Sequence, residues 1–308
     1  MIKANSHLAA DACMPLISVV MPAKNAAATL AESLDSLARQ SCKDFELVLV
    51  NDGSSDDTAA IAERYAGDLA LRLVTHESSQ GVAASINDGL AASDSEFVAR
   101  LDADDLALPQ RLQHQLDFLR ANPGVGVCGS HVEVFSDADP SQHFVLAHPT
   151  TSPAIRTALL QRCALAHPSV MCRRAVFEQV GRYDIRSDFA EDYELWCRAS
   201  LLGVQFANLP EVLTRYRKHA GQVSQQKGQL QFERDIGIKQ RYMAAFLQGE
   251  SPGLLPQFLA LQTRFPNREL ALAVLQQCGP TMTRLARAVP DVDEYARIVT
   301  GSLLRHLA

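Results

Sequence analysis

The segment Leu101-Asp102-Ala103-Asp104-Asp105 sets three carboxylates within four positions, directly after an apolar run and Arg100. Clustered carboxylates repel one another and lose hydration when enclosed, so such a cluster calls for a positive partner. A divalent cation is one: Asp102 and Asp104, one residue apart, can turn to the same side and offer oxygen ligands suited to Mg²⁺ or Mn²⁺. A calcium loop would need glycine and glutamate where the chain has Ala107 and Gln113. A solvated acidic turn is the alternative. A second pair, Glu191-Asp192, opens the helical pattern EDYELWCRAS. There the helix dipole favours the ionised form that a general base requires. Successive helical residues point about 100° apart, so one of the two is expected to face a site; ordinary first-turn acids are the alternative. Trp196 lies on the same helical face as Asp192, as an apolar wall beside a ligand or as core. RYRKHAGQVS gathers Arg215, Arg217, Lys218 and His219, a phosphate clamp or a solvated basic loop.

The elements that position these residues follow from hydrophobic patterning. LISVVMPA (16–23), FELVLVNDGS (45–54), LRLVTH (71–76) and EFVARLD (96–102) read as strands, the first as a continuous apolar run buried on both faces. Between them TLAESLDSLARQS, SDDTAAIAERYA and GVAASINDGLAAS read as helices, the first with Thr29 and Glu32 at capping-box spacing. This alternation predicts an α/β fold with a mostly parallel sheet flanked by helices. In such sheets ligands bind beyond the carboxyl ends of the strands, which brings Asn25, Asp52 and the 102–105 cluster to one rim. Pro109 opens a further helix, VGVCGSHVEVF (125–135) is a strand, and a helix near 153–162, a strand at 169–174 and a helix at 190–202 follow less regularly, which predicts mixed strand directions. From about 226 the pattern is helical, interrupted by Pro252, Pro256, Pro266, Gly279-Pro280 and Pro290, and is expected to form several short helices.

No GxGxxG follows the first strand and no GxxxxGK[ST] occurs, so dinucleotide oxidoreductases and P-loop phosphotransferases lose their main support. SVVMPAKN, LVLVNDGSSDDT, GVAASINDGL, ARLDADD, HPSVMCRR and EDYELWCRAS, in this order, resemble the signature blocks of family-2 glycosyltransferases of the GT-A fold over residues 15–225. The resemblance implies a Rossmann-like mixed, mostly parallel sheet, a nucleotide-diphosphate sugar donor, most often a UDP-sugar, and an Mn²⁺ or Mg²⁺ cofactor. It implies that Pro22, Ala23 and Asn25 line the base and ribose pocket, that Asp52 accepts from the base, that Asp102 meets ribose and the metal shell, and that Asp104 ligates the metal. Asn25 and Asp52 can equally serve turns and helix caps. Arg100 falls near the diphosphate or pairs with the carboxylates. Asp192 takes the role of base in an inverting displacement, and His219, more than His167, completes the metal shell or meets the diphosphate. The expected organisation is a tail over 1–14, a glycosyltransferase domain over 15–225 divided into a nucleotide-sugar half (15–105) and an acceptor half (106–225), and a helical region over 226–308. A GT-A-like domain that binds nucleotide or glycan without turnover, as an assembly partner, is the rival. A sugar-nucleotide pyrophosphorylase would want a Gly-rich basic loop where MPAKNAAAT stands.

The totals fit an enzyme of this size. The 308 residues, 47% hydrophobic and 21% charged, suffice for a full core. The net charge of −6 divides into −9 over 1–225 and +3 over 226–308, which argues against a nucleic-acid partner and leaves a peripheral contact with an anionic membrane or a solvated helical face for the tail. Seven scattered cysteines form no CxxC pair and read as reduced thiols. The start lacks a signal-peptide pattern, so the expected location is the cytoplasm, with peripheral contact at the inner membrane face, and the expected acceptor is a glycan or glycolipid. Acceptor identity and oligomeric state have no readable signal.

Overall fold

The computed structural model describes residues 3–5, 15–139, 141–219, 228–261, 263, 265 and 267–307. Of the tail expected over 1–14 only 3–5 falls within them. Those residues form a short strand, β1 (Lys3–Asn5), antiparallel to β4 (Leu71–His76). The apolar runs become β2 (Ile17–Ala23), β3 (Phe45–Asp52), β4 and β5 (Phe97–Arg100). They are joined through α1 (Leu30–Ala38), α2 (Thr58–Arg64) and α3 (Val82–Ala91). β2 pairs in parallel with β3 on one side and β5 on the other, and β3 with β4. The chain therefore winds outward from β2 to β4 and then crosses back to β5. The reversal opens a crevice beyond the ends of β2 and β5, the position where open α/β sheets bind ligands. Along β2 alternate side chains enter opposite cores: Val19 and Met21 pack with Leu30, Leu34 and Leu116, while Val20 packs with Ala83 and Val127.

The second half mixes directions, as its irregular pattern predicts. After β6 (Leu106–Ala107) and α4 (Arg111–Ala121), the long β7 (Val125–Phe135) pairs with β8 (Phe144–Leu146). α5 (Ser152–Ala158) follows, and β9 (Met171–Arg173) then lies antiparallel between β5 and β7. α6 (Arg174–Val180) and the 13-residue β10 (Gln205–Arg217) have no counterpart in the sequence reading. β10 runs parallel to β7, with register breaks on either side of Val212. Pro210 and Glu211 fall in that break, where a strand tolerates a proline because the ladder is already interrupted. The expected basic loop at Arg215 and Arg217 is thus the end of a strand. α7 (Glu191–Leu201) precedes β10.

The C-terminal region holds α8 (Gly228–Phe246), α9 (Leu255–Leu259), α10 (Arg268–Ala288) and α11 (Val292–Leu307). Three of these are long. The break expected at Gly279-Pro280 does not occur: α10 continues through Pro280, with Cys278 and Leu285 buried on either side. Tertiary burial there outweighs the roughly 3 kcal/mol that an internal proline costs a helix. Pro266 lies outside the described residues. Tyr242, Phe258, Leu285 and Tyr295 join one apolar cluster with Trp196 and Phe206, so these helices complete the core of the sheet's second half. Among the described residues no helix is long and apolar enough to cross a membrane.

Candidate active site

At the carboxyl end of β5 a cavity of about 200 Å³ is lined by Arg100, Asp102, Asp104, His167, Glu191 and Asp192, with Val82, Phe189, Tyr216 and Gln231 completing the wall. The fold thus joins residues from β5, the turn before β9, α7, β10 and α8. Gln231 and Phe189, for which the sequence offered no signal, belong to it.

The acidic segment is held by contacts of long sequence separation. Thr29 and Ser33 hydroxyls both donate to the Ala103 carbonyl at 3.0 Å, and Ala107 N–H donates to the Ser36 hydroxyl at 3.0 Å. The capping box expected of Thr29 and Glu32 is therefore not formed. Thr29 makes no side-chain cap, and Glu32 accepts from Arg217 Nη2 at 2.6 Å. Arg217 also donates through Nε to the Asp104 carbonyl at 2.8 Å, through its backbone N–H to Asp105 Oδ1 at 2.7 Å, and to Asp137. Buried at 3% exposure and absent from the cavity wall, it is a brace beneath the carboxylates, which corrects its expected place as a phosphate clamp. Arg111 lies buried beneath the same segment and donates to the Arg100 carbonyl at 2.6 Å. Burial lowers its pKa to about 9, with Asp105 opposing that shift.

Arg100 donates to Asp102 Oδ1 at 2.6 Å, the internal pairing that was one of its two readings. His219 Nε2 lies 2.9 Å from Asp104 Oδ2. Burial, followed by repulsion from Asp102, raises the Asp104 pKa. Asp105 is fully buried and pushed well above the usual carboxylate range by burial and then by Asp104 and Asp102. Oxygens of Asp102, Asp104 and Asp105 lie within 4.8 Å of one another, and Asp105 Oδ2 has no hydrogen-bond partner among the described residues. Oxygen donors with an adjacent imidazole fit Mn²⁺ or Mg²⁺.

Glu191 and Asp192 both line the cavity, although helical geometry predicted that one would turn away. Nor does the dipole keep Asp192 readily ionised: burial raises it to about 6, while the Tyr193 N–H at 2.7 Å and the Cys163 thiol at 3.4 Å pull the other way. Glu191 is pushed up to about 8, by burial and then by Asp192, and its Oε2 has no partner among the described residues, as suits a protonated acid. Of the two neighbouring carboxyls, Glu191 thus holds its proton to higher pH than Asp192. His167 is kept neutral by burial and sits 3.0 Å from the Tyr183 hydroxyl. Trp196 is fully buried, edge-on to Phe206 and His167, and does not reach the cavity, so its place is in the core behind His167.

Pro22, Ala23, Asn25 and Asp52 sit beyond this wall at the ends of β2 and β3. Asn25 adopts φ +50° and ties the two loops together, accepting from Ser55 N–H at 2.9 Å while its own N–H donates to the Ser54 hydroxyl at 2.9 Å. Asp52 is buried and accepts from four donors: His76 Nδ1 at 2.8 Å, Ser79 hydroxyl at 2.6 Å, and Gln80 and Gly81 N–H at 2.7 and 3.1 Å. These bonds hold its pKa low against the opposing effect of burial, which is the largest single influence. The 78–81 loop reaches Asp52 because residue 53 is glycine: at φ +62° a Cβ there would lie 2.7 Å from the Ser78 and Ser79 backbone.

Comparison with known proteins identifies the family and the fold. Residues 18–181 match the sequence model of Glycosyl transferase family 2. The amylovoran biosynthesis glycosyltransferase AmsE of Erwinia amylovora is 30% identical over 76% of this chain and 88% of its own. TarS of S. aureus, residues 1–349 in complex with UDP-GlcNAc, superposes with a TM-score of 0.59 at 18% identity, covering 94% of this chain and 92% of that one. The mannosyltransferase PcManGT of Pyrobaculum calidifontis, in complex with GDP-Man and Mn²⁺, gives 0.58 at 19% identity, covering 95% and 81%. The likeness of fold thus extends into the C-terminal helices. With a GT-A type sheet and an extended match in sequence, this chain is a glycosyltransferase and belongs to glycosyl transferase family 2.

Proposed function

We propose that the chain is an inverting, metal-dependent hexosyltransferase that moves a sugar from a nucleotide-diphosphate sugar, a UDP-sugar first, to a hydroxyl of a glycan or glycolipid acceptor in cell-surface polysaccharide synthesis. The observation that carries this reading is the meeting, in one cavity, of the Asp102-Asp104 carboxylates with an acid pair whose protonation states are split at neutral pH. The nucleotide sugars and Mn²⁺ bound by the structural relatives, and the biosynthetic name of AmsE, support the donor class, the cation and the setting.

Asp102, Asp104 and His219 hold the cation in this reading, with Asp105 behind them. A divalent cation there supplies Lewis-acid stabilisation of the charge that develops on the departing diphosphate. Asp192, ionised above about pH 6, takes the proton of the acceptor hydroxyl as that oxygen bonds to the anomeric carbon and the bond to the diphosphate breaks. One displacement inverts the anomeric configuration. Glu191 keeps its proton and leaves Asp192 as the base, and Arg100 balances charge beside Asp102. Pro22, Ala23 and Asn25 flank the base and ribose. A base N–H that reaches Asp52 must displace one of its four donors; two are backbone N–H groups and His76 is held at its other nitrogen by Asp88, which leaves the Ser79 hydroxyl as the one that can turn away. Arg217 supports this site from beneath, and Trp196 belongs to the core. The glycosyltransferase unit over 15–225 is closed by 226–308 through Gln231, and the enzyme works in the cytoplasm with peripheral contact at the membrane. A thermal-shift panel of nucleotide sugars with Mn²⁺ tests the donor: stabilisation by UDP-sugars that chelator removes is expected, and no response to any nucleotide sugar would overturn the proposal.

A further inference from the structure

Another cavity, about 170 Å³, lies where the segment after α5 meets α9 and α11, away from the proposed catalytic residues. Its wall carries Arg162, Arg297 and Arg305 against the single carboxylate of Glu294, with Gln161, Leu261, Ile298 and Gly301 completing it. Arg297 pairs with Glu294 at 2.9 Å through Nε. Arg305 donates from Nη2 to the Leu259 and Ala260 carbonyls at 3.3 and 3.2 Å and to the Ser302 hydroxyl at 3.1 Å, and its buried Nε has no partner among the described residues. Arg162 is half-buried, and no hydrogen bond or ion pair of its side chain is seen among the described residues. Burial lowers its pKa, with Glu294 opposing.

Residues 297, 301 and 305 follow one another at intervals of four, so Arg297, Gly301 and Arg305 share one face of α11. Glycine inside a helix costs about 0.5–1 kcal/mol relative to alanine. No neighbour requires it here: a Cβ at position 301 would meet nothing within 4 Å. What the missing side chain leaves is open space between two arginines, facing a third. An uncompensated guanidinium in a half-buried cleft calls for an anion, and the planar fork of arginine matches phosphate oxygens in pairs.

The geometry points to a phosphate-binding site in this cleft, formed by Arg162, Arg305 and Arg297 over Gly301, that takes the phosphate of a free anion or of a lipid headgroup. Three guanidinium groups against one carboxylate leave two positive charges, which match the dianion of free phosphate and exceed the single charge of a phosphodiester headgroup. The site is independent of the sugar-transfer reading, because none of its residues lines the cavity at the end of β5.

Calorimetric titration of the whole chain with inorganic phosphate in EDTA, at constant ionic strength, tests the free anion. Cosedimentation with phosphatidylglycerol vesicles, against phosphatidylcholine vesicles, tests the lipid. Binding in either arm that Arg162→Gln weakens about tenfold, the loss of one charge-assisted hydrogen bond, is the expected result. Gly301→Ala, which introduces no clash, weakens the same binding while leaving the melting temperature equal or higher. Response in the phosphate arm alone assigns a soluble ligand, and response in the vesicle arm assigns the headgroup. Absence of binding in both arms, or binding that neither substitution changes, overturns the proposal.

Discussion

The base assignment makes a quantitative prediction about pH. Asp192 is raised to about 6, chiefly by burial. Asp235 from α8 and Asp102 from the segment after β5 add to that shift, while the Tyr193 N–H and the Cys163 thiol oppose it. A base works deprotonated, so activity is lost as pH falls through the pKa of the folded protein. With a midpoint at about 6, roughly one molecule in eleven carries the base at pH 5 and ten in eleven at pH 7, and kcat/KM rises about tenfold between them. Release of nucleoside diphosphate from the donor, followed from pH 4.5 to 8, measures this limb. Asp192→Asn lowers the rate roughly 10²–10⁴-fold and abolishes the limb. Glu191→Gln leaves the midpoint near 6, because Glu191 holds its proton to about pH 8 and is uncharged while Asp192 titrates. Cys163→Ala removes a weak donor to the ionised carboxylate and moves the midpoint up. A flat profile between pH 5 and 7, or the same limb in Asp192→Asn, refutes the assignment.

Other substitutions separate support from chemistry. Arg217→Leu keeps the backbone N–H that Asp105 accepts but removes the guanidinium donor to the Asp104 carbonyl and the pairing with Glu32, and costs about 1–3 kcal/mol, read as a drop in the urea midpoint at unchanged slope. Trp196→Ala costs about 3–5 kcal/mol in the same assay and leaves the donor KM unchanged, because the indole is core. Gly53→Ala forces the 78–81 loop away from Asp52, so both stability and donor affinity fall, as thermal melting with and without UDP reads.

The parallel half of the sheet was legible because β2 and β3 are buried along nearly their whole length and read as mostly apolar runs, while the half-buried β4 followed from the alternation of strand and helix. The acidic segment and the Glu191-Asp192 pair were legible because each is local in sequence, and the structure brings them into one cavity. What escaped depends on contacts across long separations. Arg217 and Glu32, 185 residues apart, form one ion pair, and nothing near either residue announces the other. β10 was hidden by Pro210, since a bulge keeps its pairing only through the register that β7 supplies. Gln231 reaches the cavity because α8 packs beside α7, a contact set by the shared apolar cluster. The raised pKa of Asp192 reflects enclosure, which a helix position alone does not reveal.

The most direct measurement is turnover itself: nucleoside diphosphate release by the whole chain across UDP-, GDP- and dTDP-sugars with Mn²⁺, repeated with EDTA and with Asp104→Ala. The account predicts release from one donor class, UDP-sugars, that both treatments reduce to background. Release that continues undiminished in EDTA and in the variant would contradict it.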